Sequence, residues 1–328
     1  MIICNPGIKP KNKHLQSILA SSKIRLLKLK NNNPVSKNSE EELLETKEAK
    51  LQGFYTKAEK ADKLYILLHG WEGSAQSTYI QLLANALYKQ EKSSIYRLNF
   101  RDHGATHHLN EELFHSCRLN EVVDAIKIIT DKYPHKSVYL CGYSLGGNFS
   151  LRVAAKADRA GIKLTKVFAV SPPLVPKNSM IAIEKSKLYS TYFMRKWQKS
   201  LQKKHSIYPQ KFADVEYKSI KSLDDLTQLL IIRHSEYKTT DEYFEAYQID
   251  EEVIENIKVP CHVLASWDDP VIPFEDFSLL DKRQFIKLVT SKHGGHCGFI
   301  ISWSLNSWVE KYIIENSSEN NETPEEEQ

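Results

Sequence analysis

Nowhere does this 328-residue chain hold a run of about 18 apolar residues, so no segment reads as a membrane-spanning helix. Its start, MIICNPGIKPKNK, lacks the long apolar stretch of a secretory signal. Cysteine is scarce and unpatterned. The five (Cys4, Cys117, Cys141, Cys261 and Cys297) are odd in number, widely spaced and never in C-x-x-C pairs. That spacing argues against a disulfide framework and a zinc site. Cys141 and Cys261 fall within apolar strand-like runs and read as plain core residues. These features lead us to expect a reducing, cytoplasmic location. The chain also lacks a large charge of either sign, and its net +4 does not by itself argue for a nucleic-acid partner. No internal repeat is visible. What remains is ordinary globular composition, 41% hydrophobic and 26% charged, enough to bury a full core.

The central feature is residues 137–149, SVYLCGYSLGGNF. An apolar run (Val138, Tyr139, Leu140) ends in Gly142-Tyr143-Ser144-Leu145-Gly146, and a helix-like segment follows. This is the strand, sharp turn and helix of a nucleophile elbow. The turn strains its central residue and leaves no room for side chains two positions either side, a demand that glycine meets. Ser144 then stands at the tip of the turn, at the positive end of the next helix.

Around it the chain alternates strands and helices. Residues 63–68 (KLYILL), 94–100 (SIYRLNF), the elbow strand and 164–170 read as strands. Residues 76–90 and 118–131 carry helical apolar spacing between them. Residues 259–265 and 284–290 resume the strands, and a final helix is expected over 299–315. Helical crossovers between apolar strands predict an α/β fold, a mostly parallel sheet with helices on both faces. Residues 31–47 read as an exposed loop and 48–56 as a strand. We divide the chain into an N-terminal extension with a short helix and edge strands (1–60), a core (61–173 and 251–316), an inserted helical cap (174–250) and a disordered acidic tail (317–328).

In such sheets, sites form at the C-terminal ends of strands. Asp268-Asp269-Pro270 follows one strand, and His293-Gly294-Gly295-His296 follows the last. Ser144 needs an imidazole to take its proton, and a carboxylate to hold that imidazole. Asp269 is preferred over Asp268 because it stands directly before the Pro-Val-Ile-Pro turn. His296 is preferred over His293 because the glycines before it let the loop bend back over the sheet. The oxyanion donors are assigned to the backbone N–H groups of Leu145 and Trp71. Tyr143, His69, Tyr189, Phe193 and Trp197 are candidate substrate-binding residues, with His69 also read as a structural hydrogen-bonding residue. His103, His107, His108 and His115 share a loop, but their spacing (H-x3-H-H-x6-H) is not of zinc type, so no metal and no cofactor is expected.

Within the cap, Tyr189, Phe193, Trp197 and Leu201 recur every four residues, with Lys185, Lys187, Arg195, Lys196, Lys199, Lys203 and Lys204 around them. One reading is an amphipathic helix packed on the core with a solvated basic face. A sharper one is a surface that meets anionic lipid or an acyl chain.

At these residues the chain resembles the YheT-like branch of the α/β-hydrolases, which includes the eukaryotic ABHD lipases. Asn12-Lys13-His14-Leu15-Gln16-Ser17 is similar to N-P-H-L-Q-T, and His69-Gly70-Trp71-Glu72-Gly73-Ser74 to H-G-L-E-G-S. Asn99-Phe100-Arg101 resembles N-F-R-G, and His115-Ser116 resembles Y-H-S-G. Gly142 to Asn148 matches G-[FY]-S-L-G-G-N, Asp268-Asp269-Pro270 matches D-D-P, and His293 to Phe299 matches H-G-G-H-x-G-F. Asp102, Cys117 and Lys13 depart from the pattern, outside the Ser–His–Asp set. The resemblance implies the α/β-hydrolase fold and a serine hydrolase of carboxylic esters. We expect a small-molecule ester substrate, short- to medium-chain or lipid-like, with no nucleic acid and with peripheral membrane contact open. The sequence leaves acyl transfer, thioester cleavage and a silent binding scaffold as alternatives.

Overall fold

The computed structural model describes residues 1–30, 32–212, 217 and 219–317. In chain order the elements begin with β1 (Ile2–Cys4), α1 (Lys13–Ser21), a 3₁₀ helix (Lys23–Leu29), α2 (Pro34–Lys37), β2 (Glu40–Glu45) and β3 (Lys50–Thr56). Next come β4 (Lys63–Leu68), α3 (Thr78–Gln90), β5 (Ser94–Leu98), α4 (Leu119–Lys132), β6 (Ser137–Tyr143), α5 (Leu145–Lys156) and β7 (Lys166–Val170). Among the described residues five helices follow: α6 (Pro176–Lys185), α7 (Lys187–Ile207), α8 (Leu223–His234), α9 (Thr240–Glu245) and α10 (Glu251–Asn256). The chain then returns through β8 (Cys261–Ser266), a 3₁₀ helix (Phe274–Leu280), β9 (Ile286–Ser291) and α11 (Trp308–Glu315).

Among the described residues the strands form one sheet in the order β1-β9-β8-β7-β6-β4-β5-β3-β2. β2 and β3 pair antiparallel with their neighbours, and the other pairings are parallel. The inner strands are apolar on both faces because helices cover both. Alternation divides them between two cores: Leu64, Ile66, Leu68 and Leu140 pack on one side, Tyr65, Leu67, Tyr139 and Cys141 on the other. Each of the buried leucine and isoleucine side chains among them contributes about 1.5–3 kcal/mol relative to exposure. β4 has β5 on one side and β6 on the other, so the strand order reverses there, and Leu68 lies opposite Gly142. The loops leaving β4 and β6 therefore diverge at the crevice where open α/β sheets place their ligands.

Three expectations need correction. Residues 31–47 are not simply a loop: they carry α2 and β2. The sequence of β2, EEELLE, hides the strand, because it is an edge strand: Glu40, Glu41, Leu43 and Glu45 are exposed, Glu42 is held by Lys132 and Tyr133, and only Leu44 is buried. The last helix starts at Trp308, not 299, because Cys297, Phe299 and Leu305 all take left-handed φ values and Ile300 bridges to Ser307. Ser317 belongs to the folded body. It is fully buried, and its carbonyl accepts from the Tyr139 hydroxyl at 2.6 Å. The rest of the expected tail, 318–328, lies outside the described residues.

Candidate active site

Ser144 sits between β6 and α5 with φ 51°, a left-handed value that a side chain adopts only under constraint. Two glycines make the turn possible. A Cβ on Gly146 would lie 2.5 Å from the carbonyl oxygens of both Leu68 and His69, and one on Gly142 would run into the Gly146 carbonyl.

The loops after β8 and β9 bring the partners in. Asp269 spends Oδ1 on the amides of Val271 (2.8 Å) and Ile272 (3.0 Å), which leaves Oδ2 for His296 Nδ1 at 2.9 Å. On the far side of the ring, His296 Nε2 stands 2.9 Å from Ser144 Oγ. The three residues thus make one continuous hydrogen-bonded line. The Asp269 side chain is 2% exposed and that of His296 13%. Burial works to lower the imidazole pKa, but the adjacent Asp269 carboxylate overrides it and holds His296 well above its ordinary value.

The neighbouring pair has a different role. Asp268 accepts from the Gly295 amide and the Ser266 hydroxyl and faces His293 at 3.2 Å. It braces the loop that carries His296 and does not reach Ser144.

The loop after β4 passes against the serine: a Cβ on Gly70 would be 3.2 Å from Ser144 Cβ. His69 is fully buried and uses both ring nitrogens. Nδ1–H donates to the Gly70 carbonyl (2.8 Å), and Nε2 accepts from the Phe100 amide (3.2 Å). Burial pushes its pKa down to about 4, so it is neutral. His69 therefore does not line a cavity, and its assignment as a substrate-binding residue is corrected to one beneath the loop. The Gly73 amide also binds the Gly70 carbonyl. Because the peptide unit is planar, fixing that carbonyl fixes the Trp71 N–H on its other edge. Among the described residues neither the Trp71 nor the Leu145 amide has a hydrogen-bond partner.

Helix α7 closes over this loop. Phe193 stacks on Trp71 at 5.2 Å between ring centroids, Trp197 meets Trp71 edge-on at 5.2 Å, and Lys196 Nζ donates to the Glu72 carbonyl at 2.9 Å. Two cavities meet at Ser144, parted by the Trp71–Phe193 stack. The inner one, about 120 Å³, runs under the helices past Leu113, Phe114, Met180, Trp197 and Ile231. The outer one, about 280 Å³, is bordered by Ile18, Tyr143, Leu188, Tyr189 and His296.

The inner cavity is kept free of histidine charge. Burial lowers His103 to about 3, His107 to about 4 and His115 to about 3, and these rings serve separate partners. His103 Nδ1 donates to the Arg101 carbonyl and His107 Nε2 meets the Ser200 hydroxyl. Glu72, also on the wall, is raised to about 8 by burial despite Lys196, so it is largely protonated at neutral pH. The departure at Asp102 has a structural reason. The residue adopts φ 58°, where glycine is easiest, and its carboxylate meets Lys204 of α7 at 2.7 Å in a buried ion pair.

The sequence reading missed how the N-terminal segment serves the site. Ser17 Oγ accepts from the His296 amide at 2.8 Å, and Gln16 clamps Ile300 through both ends of its side-chain amide. His14 meets the Tyr189 hydroxyl at 2.9 Å. The only signal for this was the local string Asn12 to Ser17.

The sequence profile of the alpha/beta hydrolase fold matches residues 64–312. YheT of Escherichia coli strain K12, whose name assigns it only provisionally as an esterase, is 23% identical over 76% of this chain and 74% of its own. An abhydrolase domain-containing protein of Dictyostelium discoideum is 24% identical over 93% of this chain and 78% of its own. Among solved structures, an esterase of Pyrobaculum calidifontis aligns with a TM-score of 0.58 at 16% identity, covering 92% of this chain and 93% of that one.

Proposed function

The chain belongs to the alpha/beta hydrolase family, and from that premise we propose that it is a serine hydrolase of carboxylic esters. The observation that carries this reading is the unbroken line from Asp269 through His296 to Ser144 Oγ, with two unengaged amides beside the serine. Ser144 Oγ attacks the ester carbonyl while His296 Nε2 takes its proton. The carbonyl oxygen becomes an oxyanion held by the N–H groups of Trp71 and Leu145. His296 then gives the proton to the leaving alkoxide, and an acyl-serine remains. Water, deprotonated by the same imidazole, resolves it to the acid and restores Ser144. Asp269 holds the imidazole with Nδ1–H facing it and stabilises the charged form.

The two cavities divide the substrate. The leaving oxygen must lie on the His296 side, and His296 borders the outer cavity alone, so the alcohol part belongs there and the acyl part in the inner cavity. The described residues of 174–250 act as the cap that shapes both, and the largely apolar walls, on which Asp102 and Lys204 neutralise each other, suit a short- to medium-chain or lipid-like acyl group. Five free cysteines fit a cytoplasmic setting. Among the described residues no helix is long and apolar enough to cross a membrane.

Hydrolysis of p-nitrophenyl esters across a series of acyl lengths tests the proposal. Turnover that peaks at short to medium chains and vanishes in a folded Ser144→Ala protein is the expected result. Transfer of the acyl group to an added alcohol in preference to water would make the protein a transferase. A folded protein that turned over no ester would overturn the proposal.

A further inference from the structure

The chain's charge is unevenly placed. Residues 1–39 contain eight lysines and arginines and no acid, and α7 contains six and no acid, so the remainder of a chain of net charge +4 is net −10. These two basic segments are the ones that flank the outer cavity. α1 contributes Ser17 and Ile18 to its wall, α7 contributes Leu188, Tyr189 and Tyr192, and the His14–Tyr189 hydrogen bond ties the two together.

Exposed apolar side chains stand on the same segments, and Ile18, Leu188 and Tyr192 among them border the outer cavity. Leu15 and Ile18 lie one turn apart on α1, Ile24 and Leu27 follow on the 3₁₀ helix, and Leu188 and Tyr192 lie one turn apart on α7. Trp303 is 76% exposed, in a loop held to the 3₁₀ helix by Arg25 Nε donating to the Leu305 carbonyl and by Lys28 donating to Asn306. Along the outer stripe of α7 the apolar pair gives way to exposed Arg195, Lys199 and Lys203 at helical spacing. Arg25 and Lys204 are buried against Glu310 and Asp102, but the exposed charges of α7 are basic. Grouped apolar residues beside such a basic surface are costly in water and complementary to an anionic lipid–water interface, where tryptophan also prefers to sit.

We propose that the face formed by α1, the first 3₁₀ helix, the Trp303 loop and the outer stripe of α7 docks on an anionic lipid bilayer. The mouth of the outer cavity then opens against the membrane, and an apolar ester passes from the lipid to Ser144 without crossing water. The delivery step rests on the ester-hydrolase reading; the docking does not. A second copy of the chain suits the face poorly, since two such faces would bring like charges together.

The test is sedimentation of the full chain, carrying Ser144→Ala so that no lipid is consumed, with vesicles of phosphatidylcholine alone or of equimolar phosphatidylcholine and phosphatidylglycerol. Binding to the mixed vesicles only, weakened by salt, is expected. Reversing Arg195, Lys199 and Lys203 to Glu should lower that affinity at least about tenfold. Leu15→Asp combined with Trp303→Ala should do the same. In an otherwise wild-type background both variants should keep the melting temperature and the turnover of a water-soluble p-nitrophenyl ester. No binding to the mixed vesicles, or equal binding by the variants, would overturn the proposal, as would dimerisation through this face in light scattering. Because sedimentation needs no catalysis, a protein that binds vesicles yet cleaves no ester would refute the enzymatic reading and leave the docking intact.

Discussion

Replacing Asp269 with Asn changes one atom at the point that sets the tautomer of His296. Asp269 Oδ1 already accepts two backbone amides, at 2.8 and 3.0 Å, and both amides need an acceptor. An Asn at this site keeps its carbonyl oxygen on those amides, because its NH₂ group cannot accept from them. The NH₂ group therefore faces His296 Nδ1, which must turn its lone pair toward it. The ring proton then moves to Nε2, so that Nε2 points an N–H at Ser144 and cannot take its proton. The comparable substitution in a serine protease lowers kcat about 10⁴-fold, equivalent to about 5.4 kcal/mol of barrier. We expect a loss of that order here, with the melting temperature nearly unchanged because the amides stay satisfied. Steady-state hydrolysis of a p-nitrophenyl ester reads the loss, and Asp268→Asn serves as the control that keeps most of the activity. More than a tenth of wild-type turnover in Asp269→Asn would refute the reasoning, and so would a larger loss in Asp268→Asn.

Three further outcomes are expected. Only neutral His296 accepts the serine proton, so activity falls as pH drops through its pKa; the Asp269 carboxylate raises that pKa, so the acid limb of kcat/KM should lie above the ordinary value of about 6.5 and move down in Asp269→Asn. A pH–rate profile with its limb below that value in the wild type would contradict this. Gly146→Ala forces a Cβ to 2.5 Å from two backbone carbonyls that cannot rotate away, and denaturant unfolding should show a loss of more than about 3 kcal/mol. Lys204→Met leaves the Asp102 carboxylate buried without its partner and should cost about 3–5 kcal/mol by the same measurement, most of it recovered when Asp102→Gly is added.

The strands were legible where both faces are buried. KLYILL and SVYLCGY leave no polar face to confuse the pattern, and glycines at 142 and 146 announced the turn between β6 and α5. β2 was not legible, because an edge strand that exposes Glu40, Glu41, Leu43 and Glu45 and buries only Leu44 shows no apolar alternation and so reads as a loop. The start of the last helix was misplaced because left-handed residues at 297 and 299 interrupt a run whose composition is helical. Ser144, Asp269 and His296 could be proposed together because their placement at strand ends is local information, and the structure brings the three side chains into hydrogen-bond contact. Gln16 and Ser17 could not be placed at the site, since their contacts with Ile300 and His296 span about 280 residues and leave no trace in periodicity. His69 was read both as a substrate-binding residue, by its position in the loop, and as a structural hydrogen-bonding one, and the second reading matches its contacts. Only the structure reveals that both its nitrogens are committed to backbone.

The central claim is that Ser144 is an activated nucleophile. The most direct measurement is covalent labelling of the folded protein with a fluorophosphonate, followed by mass mapping of the labelled peptide. The account predicts a single adduct on Ser144, absent from Ser144→Ala and formed at least about a thousandfold more slowly in His296→Ala, where no base remains. A folded protein that takes no label, or takes it on a residue other than Ser144, would contradict the account.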